Sequence, residues 1–305
     1  MTQQCLDTIT AMEINVAQRS REWFDLRASV CITSSKFGDA VGVGKGKPWH
    51  FFLAHIKENA DDDHIADNPC LQHGIEMEKV ICEAYELLTG HKTRESGVWV
   101  PKDGMLKGLV AASPDAIVCD PNTMIPVGLC EFKAPVYKMY ADGIPRHYMA
   151  QIQGQMAITN LPWCDFMAVC TRTREITLLR VFFHQGYWQR VSTLLYTFCM
   201  AVQESRQLNM RAINSVQFHA FEEIKKWTGS EKIQGEEEIV MQNLLHNKAP
   251  HLCGPSKVLF TYNLLLGVKD GNSSTDHAHQ NDVISQIDKE IEDQEVEREM
   301  IALDY

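Results

Sequence analysis

No stretch of this sequence is apolar for long enough to cross a membrane. Its longest dominantly apolar runs, such as Leu194 to Val202, are broken by polar residues and fall short of the ~20 residues that a spanning helix needs. The opening residues lack a basic start followed by an apolar core, so no secretory signal is expected and an intracellular site follows. None of the ten cysteines stands in a CxxC pair, and several lie inside apolar runs, which excludes a disulfide framework and predicts reduced, mostly buried thiols. Cys70 and His73 have a spacing that zinc uses, yet no second pair stands nearby to complete four ligands, so structural zinc is not expected. The chain also lacks an excess of positive charge. Its 29 basic residues against 40 acidic ones leave a net charge of −11, which taken whole argues against a nucleic-acid partner. The distribution of that charge matters more than its sum: from Glu222 onward there are 17 acidic and 8 basic residues, net −9, leaving 23 and 21, net −2, for what precedes. The acidity belongs mainly to the tail, and a nucleic-acid partner for the rest stays open.

A length of 305 residues with 45% hydrophobic content suits one large domain or two modest ones with a sizeable core. From about Val16 to Arg206 helical and strand patterns alternate, after which the sequence turns polar. The expected division is a main domain over 1–208, an accessory helical or irregular extension over 209–266, and a polar linker with an acidic tail over 267–305. Within that tail, Val283, Ile287, Ile291 and Val296 have a spacing compatible with an amphipathic helix or with a solvated segment. In the main domain, apolar positions at helical spacing predict helices over Glu76 to Thr89, Tyr148 to Thr159 and Trp188 to Gln207. Strands are predicted over Val98 to Val100, Leu106 to Ala112, Ala116 to Cys119, Val127 to Lys133, Phe166 to Cys170 and Glu175 to Phe183, with a turn at Asp120 to Asn122. A sheet with flanking helices results, of the α/β or α+β class.

The residues richest in chemistry are Ser113-Pro114-Asp115 and, sixteen positions after Asp115, Glu131-Phe132-Lys133. Side chains two apart on a strand share a face, so Glu131 and Lys133 point one way and Phe132 the other. If the turn between the two strands brings Asp115 alongside, two carboxylates and an ammonium meet. Crowded carboxylates repel unless a divalent cation lies between them, and oxygen-only ligation suits Mg²⁺ or Mn²⁺. Such an ion polarises a phosphodiester and activates water, which is the chemistry of hydrolytic cleavage. The plainer alternative is that Asp115 caps a turn and Glu131 and Lys133 form an ordinary ion pair on an exposed strand. Glu78 favours the first reading: three and seven residues before Ile81 and Tyr85, it shares their buried helix face, where a carboxylate is costly unless something pairs with it.

Asp115 with Glu131-x-Lys133 resembles the PD-(D/E)XK nuclease signature. Further stretches narrow the resemblance: Gln18-Arg19-Ser20-Arg21-Glu22-Trp23-Phe24-Asp25-Leu26-Arg27, Ile32-Thr33-Ser34-Ser35-Lys36-Phe37-Gly38, Gly74-x-x-x-Glu78 and Tyr148-Met149-Ala150-Gln151-Ile152-Gln153. Together and in this order they resemble the lambda-exonuclease-type, YqaJ-like viral recombinase nucleases. The resemblance implies a restriction-endonuclease-like core with a mixed central sheet flanked by helices, followed by the C-terminal extension. It implies a Mg²⁺-dependent deoxyribonuclease, Mn²⁺ being possible, that acts as a 5′-to-3′ exonuclease on duplex DNA ends in recombination or replication. It also implies residue roles: Asp115, Glu131 and the Phe132 carbonyl as metal ligands, Glu78 completing the acidic site, Lys133 positioning the attacking water and Gln151 supporting the centre. Arg27 and Ser35 would hold the terminal 5′-phosphate, with Ser34 as the alternative because the interval from Arg27 is one residue longer than the family's. Relatives include ring-shaped homo-oligomers, and a recombination or replication protein is the implied partner. A structure-selective endonuclease, an RNase on the same fold, or a non-catalytic nucleic-acid-binding protein are the competing functions.

Overall fold

The computed structural model describes residues 11–44, 46–57, 69–170, 172–173, 175–206 and 232–247. The chain opens with strand β1 (Ala11–Ile14) and helix α1 (Arg21–Ala28), whose N-terminus is capped by the Ser20 hydroxyl accepting from the Trp23 N–H at 3.2 Å. Strand β2 (Ile32–Thr33), a 3₁₀ turn over Ser34–Lys36, and helices α2 (Phe37–Ala40), α3 (Pro48–Lys57) and α4 (Pro69–Thr89) follow. Then come β3 (Lys92–Glu95), β4 (Val98–Pro101), β5 (Val110–Ala111), β6 (Ala116–Cys119), β7 (Pro126–Lys133), α5 (Arg146–Thr159), β8 (Trp163–Cys170), β9 (Glu175–Phe182) and α6 (Gln185–Arg206). Strand β10 (Met241–Asn243) and helix α7 (Leu244–Asn247) close the described chain.

Six strands form the central sheet in the order β10-β9-β8-β7-β6-β3. Strands β7 and β8 run parallel, joined through helix α5, and the other pairs are antiparallel, so the sheet is mixed as expected. Alternation along the strands divides the apolar side chains between two cores. Ile117, Leu129, Cys164, Phe166, Ala168 and Val181 face one core with residues of α2, α3, α5 and α6. Ala116, Val118, Cys130, Phe132, Met167 and Val169 face the other, where α4 contributes Ile81, Ala84, Tyr85 and Leu88. The predicted helices are present with earlier starts, at Pro69, Arg146 and Gln185. Among the described residues no helix is long and apolar enough to cross a membrane. Six described cysteines are buried.

The strand predicted over Leu106 to Ala112 is corrected to Val110–Ala111 alone. Gly104 and Gly108 adopt φ of 75° and 69°, a left-handed conformation that turns the chain, and Leu106 and Leu109 are buried from within that turn rather than from a pleat. Of the extension after residue 208, the described part is 232–247. Its β10 pairs with β9, Ile233 and Ile239 enter the first core, and Glu236 receives both Arg146 Nε and Nη2, at 2.6 and 2.8 Å. This stretch therefore packs on the sheet and on the start of α5. The linker and acidic tail read over 267–305 lie outside the described residues.

The approach of α2 to α5 is close at Gly38, where a Cβ would lie 2.4 Å from His147 Cβ. Because both sides of that contact are backbone-proximal, Gly38→Ala is expected to destabilise by about 1–3 kcal/mol, the cost of overpacking a filled interior. Thermal unfolding of the variant beside the parent checks it, and an unchanged melting temperature would contradict the contact.

Candidate active site

The end of β7 and the entry to β6 bring the predicted acidic residues together. Leu129 faces the core that holds α5, while Cys130 and Phe132 face α4. Glu131, in phase with Leu129, accordingly points at α5 and is 1% exposed. Burying a carboxylate is tolerable only with donors around it. Gln151 Nε2 donates to Glu131 Oε1 at 2.6 Å, Gln155 Nε2 donates to Oε2 at 2.9 Å, and Lys133 Nζ donates to Oε1. The Lys133 ammonium also donates to the Phe132 carbonyl at 3.1 Å and stands 4.9 Å from the centre of the Tyr148 ring. Asp115, the residue before β6, accepts from the Phe132 N–H at 2.6 Å and is thereby fixed to β7.

Glu78 sits on α4 with the buried Ile81 and Tyr85 below it, and receives the Arg19 guanidinium. Burial pushes the Asp115 carboxyl well above the usual range, and the neighbouring Glu131 charge pushes it further, against the pull of Lys133. Burial likewise raises Glu78, with Glu131 adding to the rise and Arg19 opposing it. Burial alone would lower Lys133, but Glu131 and Asp115 overcome that and hold the ammonium charged. Three carboxylates thus repel one another across a small space, with Lys133 among them.

Among the described residues, no three His, Cys, Asp or Glu side chains are arranged to hold a metal ion together. The donor chemistry nonetheless fits one: Asp115, Glu131 and the Phe132 carbonyl offer oxygen alone, and the mutual repulsion that adds to the burial-driven rise of Asp115 and Glu78 is what a divalent cation relieves. Cys70 is exposed.

A second cluster lies around α1. Arg27 Nη2 approaches Thr33 Oγ1 at 3.3 Å and Ser35 Oγ at 3.5 Å, and its guanidinium lies 4.1 Å from the centre of the Trp23 ring. Of the two candidate serines, Ser35 is the one beside Arg27, whereas Ser34 is 1% exposed and turned inward. Trp23 Nε1 donates to Ser113 Oγ at 3.0 Å, which connects this cluster to the strand entry that carries Asp115.

Four further residues join the two clusters although the sequence analysis assigns them no role: Gln155, Arg19, Gln18 and Thr33. Gln155 stands one turn after Gln151, a spacing compatible with a wet helix face; both are in fact buried against Glu131. Thr33 lies inside the Ile32-to-Gly38 motif. Gln18 and Arg19 open the Gln18-to-Arg27 motif, just before the helix cap, but the motif assigns neither of them a role.

Residues 22–162 match the family described as the YqaJ-like viral recombinase domain. Among solved structures, an alkaline exonuclease (LHK-Exo) from Laribacter hongkongensis is similar at 24% identity over 65% of this chain and 100% of that one. The TM-score is 0.49 for that enzyme alone and 0.50 for its complex with dAMP. Curated proteins gave no match. The matched stretch contains Arg27, Ser35, Glu78, Asp115, Glu131, Lys133 and Gln151, and the likeness to the dAMP complex is one of fold. The fold is the restriction-endonuclease-like one, and residues 22–162 are similar to the YqaJ-like viral recombinase domains.

Proposed function

We propose that this chain is a Mg²⁺-dependent exonuclease that degrades duplex DNA from its ends in the 5′-to-3′ direction, in the service of recombination or replication. The observation that carries the reading is Glu131, a buried carboxylate held by Gln151, Gln155 and Lys133 beside Asp115, on a frame that also bears the Arg27 and Ser35 cluster. The match of residues 22–162 to the recombinase family supports it further.

Asp115, Glu131 and the Phe132 carbonyl would hold Mg²⁺, or Mn²⁺ in its place, with Glu78 completing the acidic set. When bound, the ion supplies polarisation of the phosphodiester and a more acidic water. Lys133, kept charged by Glu131 and Asp115, orients the attacking water and stabilises the negative charge that develops on the phosphoryl oxygens. Gln151 and Gln155 fix the rotamer of Glu131, so that its position is set before substrate arrives. Arg27 and Ser35 take the terminal 5′-phosphate, and this places the scissile bond at a fixed distance from the chain end. The duplex end is the partner; a homo-oligomer, a recombination or replication protein and an intracellular setting belong to the same proposal, with residues 1–208 as the nuclease domain.

The test is digestion of end-labelled linear duplex, with and without a 5′-phosphate, beside closed-circular DNA and RNA, in Mg²⁺ and in chelator. Loss of linear DNA only, dependent on Mg²⁺, is the expected result. Cutting of circles moves the assignment to an endonuclease, degradation of RNA alone to an RNase, and no cleavage to a binding protein. Within that assay Arg27→Ala is expected to lower the rate on phosphorylated ends by about tenfold to a hundredfold, the worth of a hydrogen bond to a charged group, while barely altering the rate on unphosphorylated ends. Equal losses on both kinds of end would remove Arg27 from end recognition.

A further inference from the structure

The proposed centre contains one cation that the chemistry above does not use. Glu78, Asp115 and Glu131 face two positive side chains, Lys133 and Arg19. The two are held differently. Lys133 is tied to the buried Glu131 and to the Phe132 carbonyl, with its side chain 20% exposed. Arg19 is 40% exposed, at the rim, and reaches Glu78 from outside the sheet.

The backbone around Arg19 is set for that reach. Gln18 N–H donates to Glu95 Oε1 at 2.9 Å, and Gln18 Nε2 donates to the carbonyls of Pro114 at 3.1 Å and of Ser96 and Asp115 at 3.4 Å. On the other side Ser20 caps α1. Between these two anchors Arg19 adopts φ of 61°, a left-handed conformation that glycine takes freely and that costs any other residue. An arginine is therefore held where the backbone alone would favour glycine, with its guanidinium against an active-centre carboxylate.

We propose that Arg19 is an exchangeable cation of the active centre: it neutralises Glu78 while the carboxylates lack a metal, and it releases Glu78 and turns to a DNA phosphate when metal and substrate bind. The inference rests on the metal-dependent reading above. Its logic is charge balance: three carboxylates are neutralised by a divalent ion together with Lys133, which leaves the Arg19 charge in surplus at the rim where the phosphates arrive. A guanidinium suits that second task, since its planar fork matches a phosphate as well as a carboxylate.

The test compares Arg19→Gly, which suits the backbone at this position, with Arg19→Lys, which keeps the charge. Mn²⁺ is titrated calorimetrically into the DNA-free full-length protein. The glycine variant is expected to bind Mn²⁺ about three- to tenfold more tightly, because one competing charge has left a partly exposed carboxylate, and the lysine variant to bind as the parent does. In a Lys133→Ala background, where duplex binding is read without cleavage, Arg19→Gly is expected to weaken binding and lower the salt slope by about 0.9, the signature of one lost phosphate contact. Mn²⁺ binding that is unchanged or weaker, or an unchanged salt slope, overturns the inference. Glu131→Gln separates the two failures. If it weakens Mn²⁺ binding while Arg19→Gly does nothing, only the role of Arg19 is lost; if it too leaves binding untouched, the metal-dependent reading falls and takes this inference with it.

Discussion

Lys133→Ala is expected to lower the rate of DNA hydrolysis by about 10²- to 10³-fold under single-turnover conditions, with Mg²⁺ binding retained. That is the usual cost of removing one preorganised group that acts on developing charge. Among the described residues Lys133 is the positive group placed between Glu131, Asp115 and the Phe132 carbonyl, and those two carboxylates keep it charged. Glu131→Gln should lose more, since it removes a proposed metal ligand as well as the counter-charge of Lys133. It should also disturb the support beneath. The amide introduced there carries a donor group, and Gln151 and Gln155 both present donors to the present carboxylate, at 2.6 and 2.9 Å. Glu131→Ala is the less informative substitution, because it leaves the ammonium and two glutamine amides facing a cavity and so mixes lost chemistry with lost stability. A melting curve beside each rate separates the two effects. A Lys133→Ala protein that folds, binds Mg²⁺ and still cleaves at the parental rate would remove Lys133 from the mechanism.

The alternation of Glu131, Phe132 and Lys133 was legible in the sequence because strand periodicity is strict: the buried Leu129 fixes the phase, and Glu131 must follow it. Glu78 was legible for the equivalent reason on a helix, where Ile81 and Tyr85 define the buried face. Other features rest on tertiary contacts that leave little trace in local pattern. β3 is Lys-Thr-Arg-Glu and β10 is Met-Gln-Asn, two polar edge strands without an apolar face to announce them. Leu106 and Leu109 mimic a strand because a turn buried by its surroundings can show the same apolar spacing. Gln155 became visible as a supporting residue only once the direction of α5 over β7 was known, and Arg19 only once its positive φ was. The net charge of the sequence, dominated by its acidic C-terminal part, does not report on the proposed centre, where the described charged groups are Glu78, Asp115, Glu131, Lys133 and Arg19.

Arg180→Ala is expected to lower the melting temperature by about 6–20 °C while leaving the contacts of the proposed centre unbroken. Asp165 on β8 is fully buried, and its charge is met by Arg180 Nε and Nη2 at 2.7 and 2.8 Å and by the Tyr85 hydroxyl at 2.6 Å. Arg180 in turn lies 3.6 Å from the centre of the Trp163 ring and 3.2 Å from His91 Nε2. Removing the guanidinium strands a buried carboxylate with one neutral donor among these, a change that costs about 3–5 kcal/mol, whereas replacing the pair together by apolar residues of similar volume is often close to neutral. At about 2–4 °C per kcal/mol for a domain of this size, the single substitution gives the stated loss, and Asp165→Leu with Arg180→Met should recover much of it. The network lies on the α4 side of the sheet, opposite the face that Glu131 presents to α5. Its link to the proposed centre runs through Tyr85, two turns along α4 from Glu78. If α4 stays docked below the melting transition, cleavage there should fall far less than stability does. A loss of activity as large as that of Lys133→Ala, in protein still folded, would instead mean that the anchoring of α4 by Tyr85 and Asp165 sets the position of Glu78.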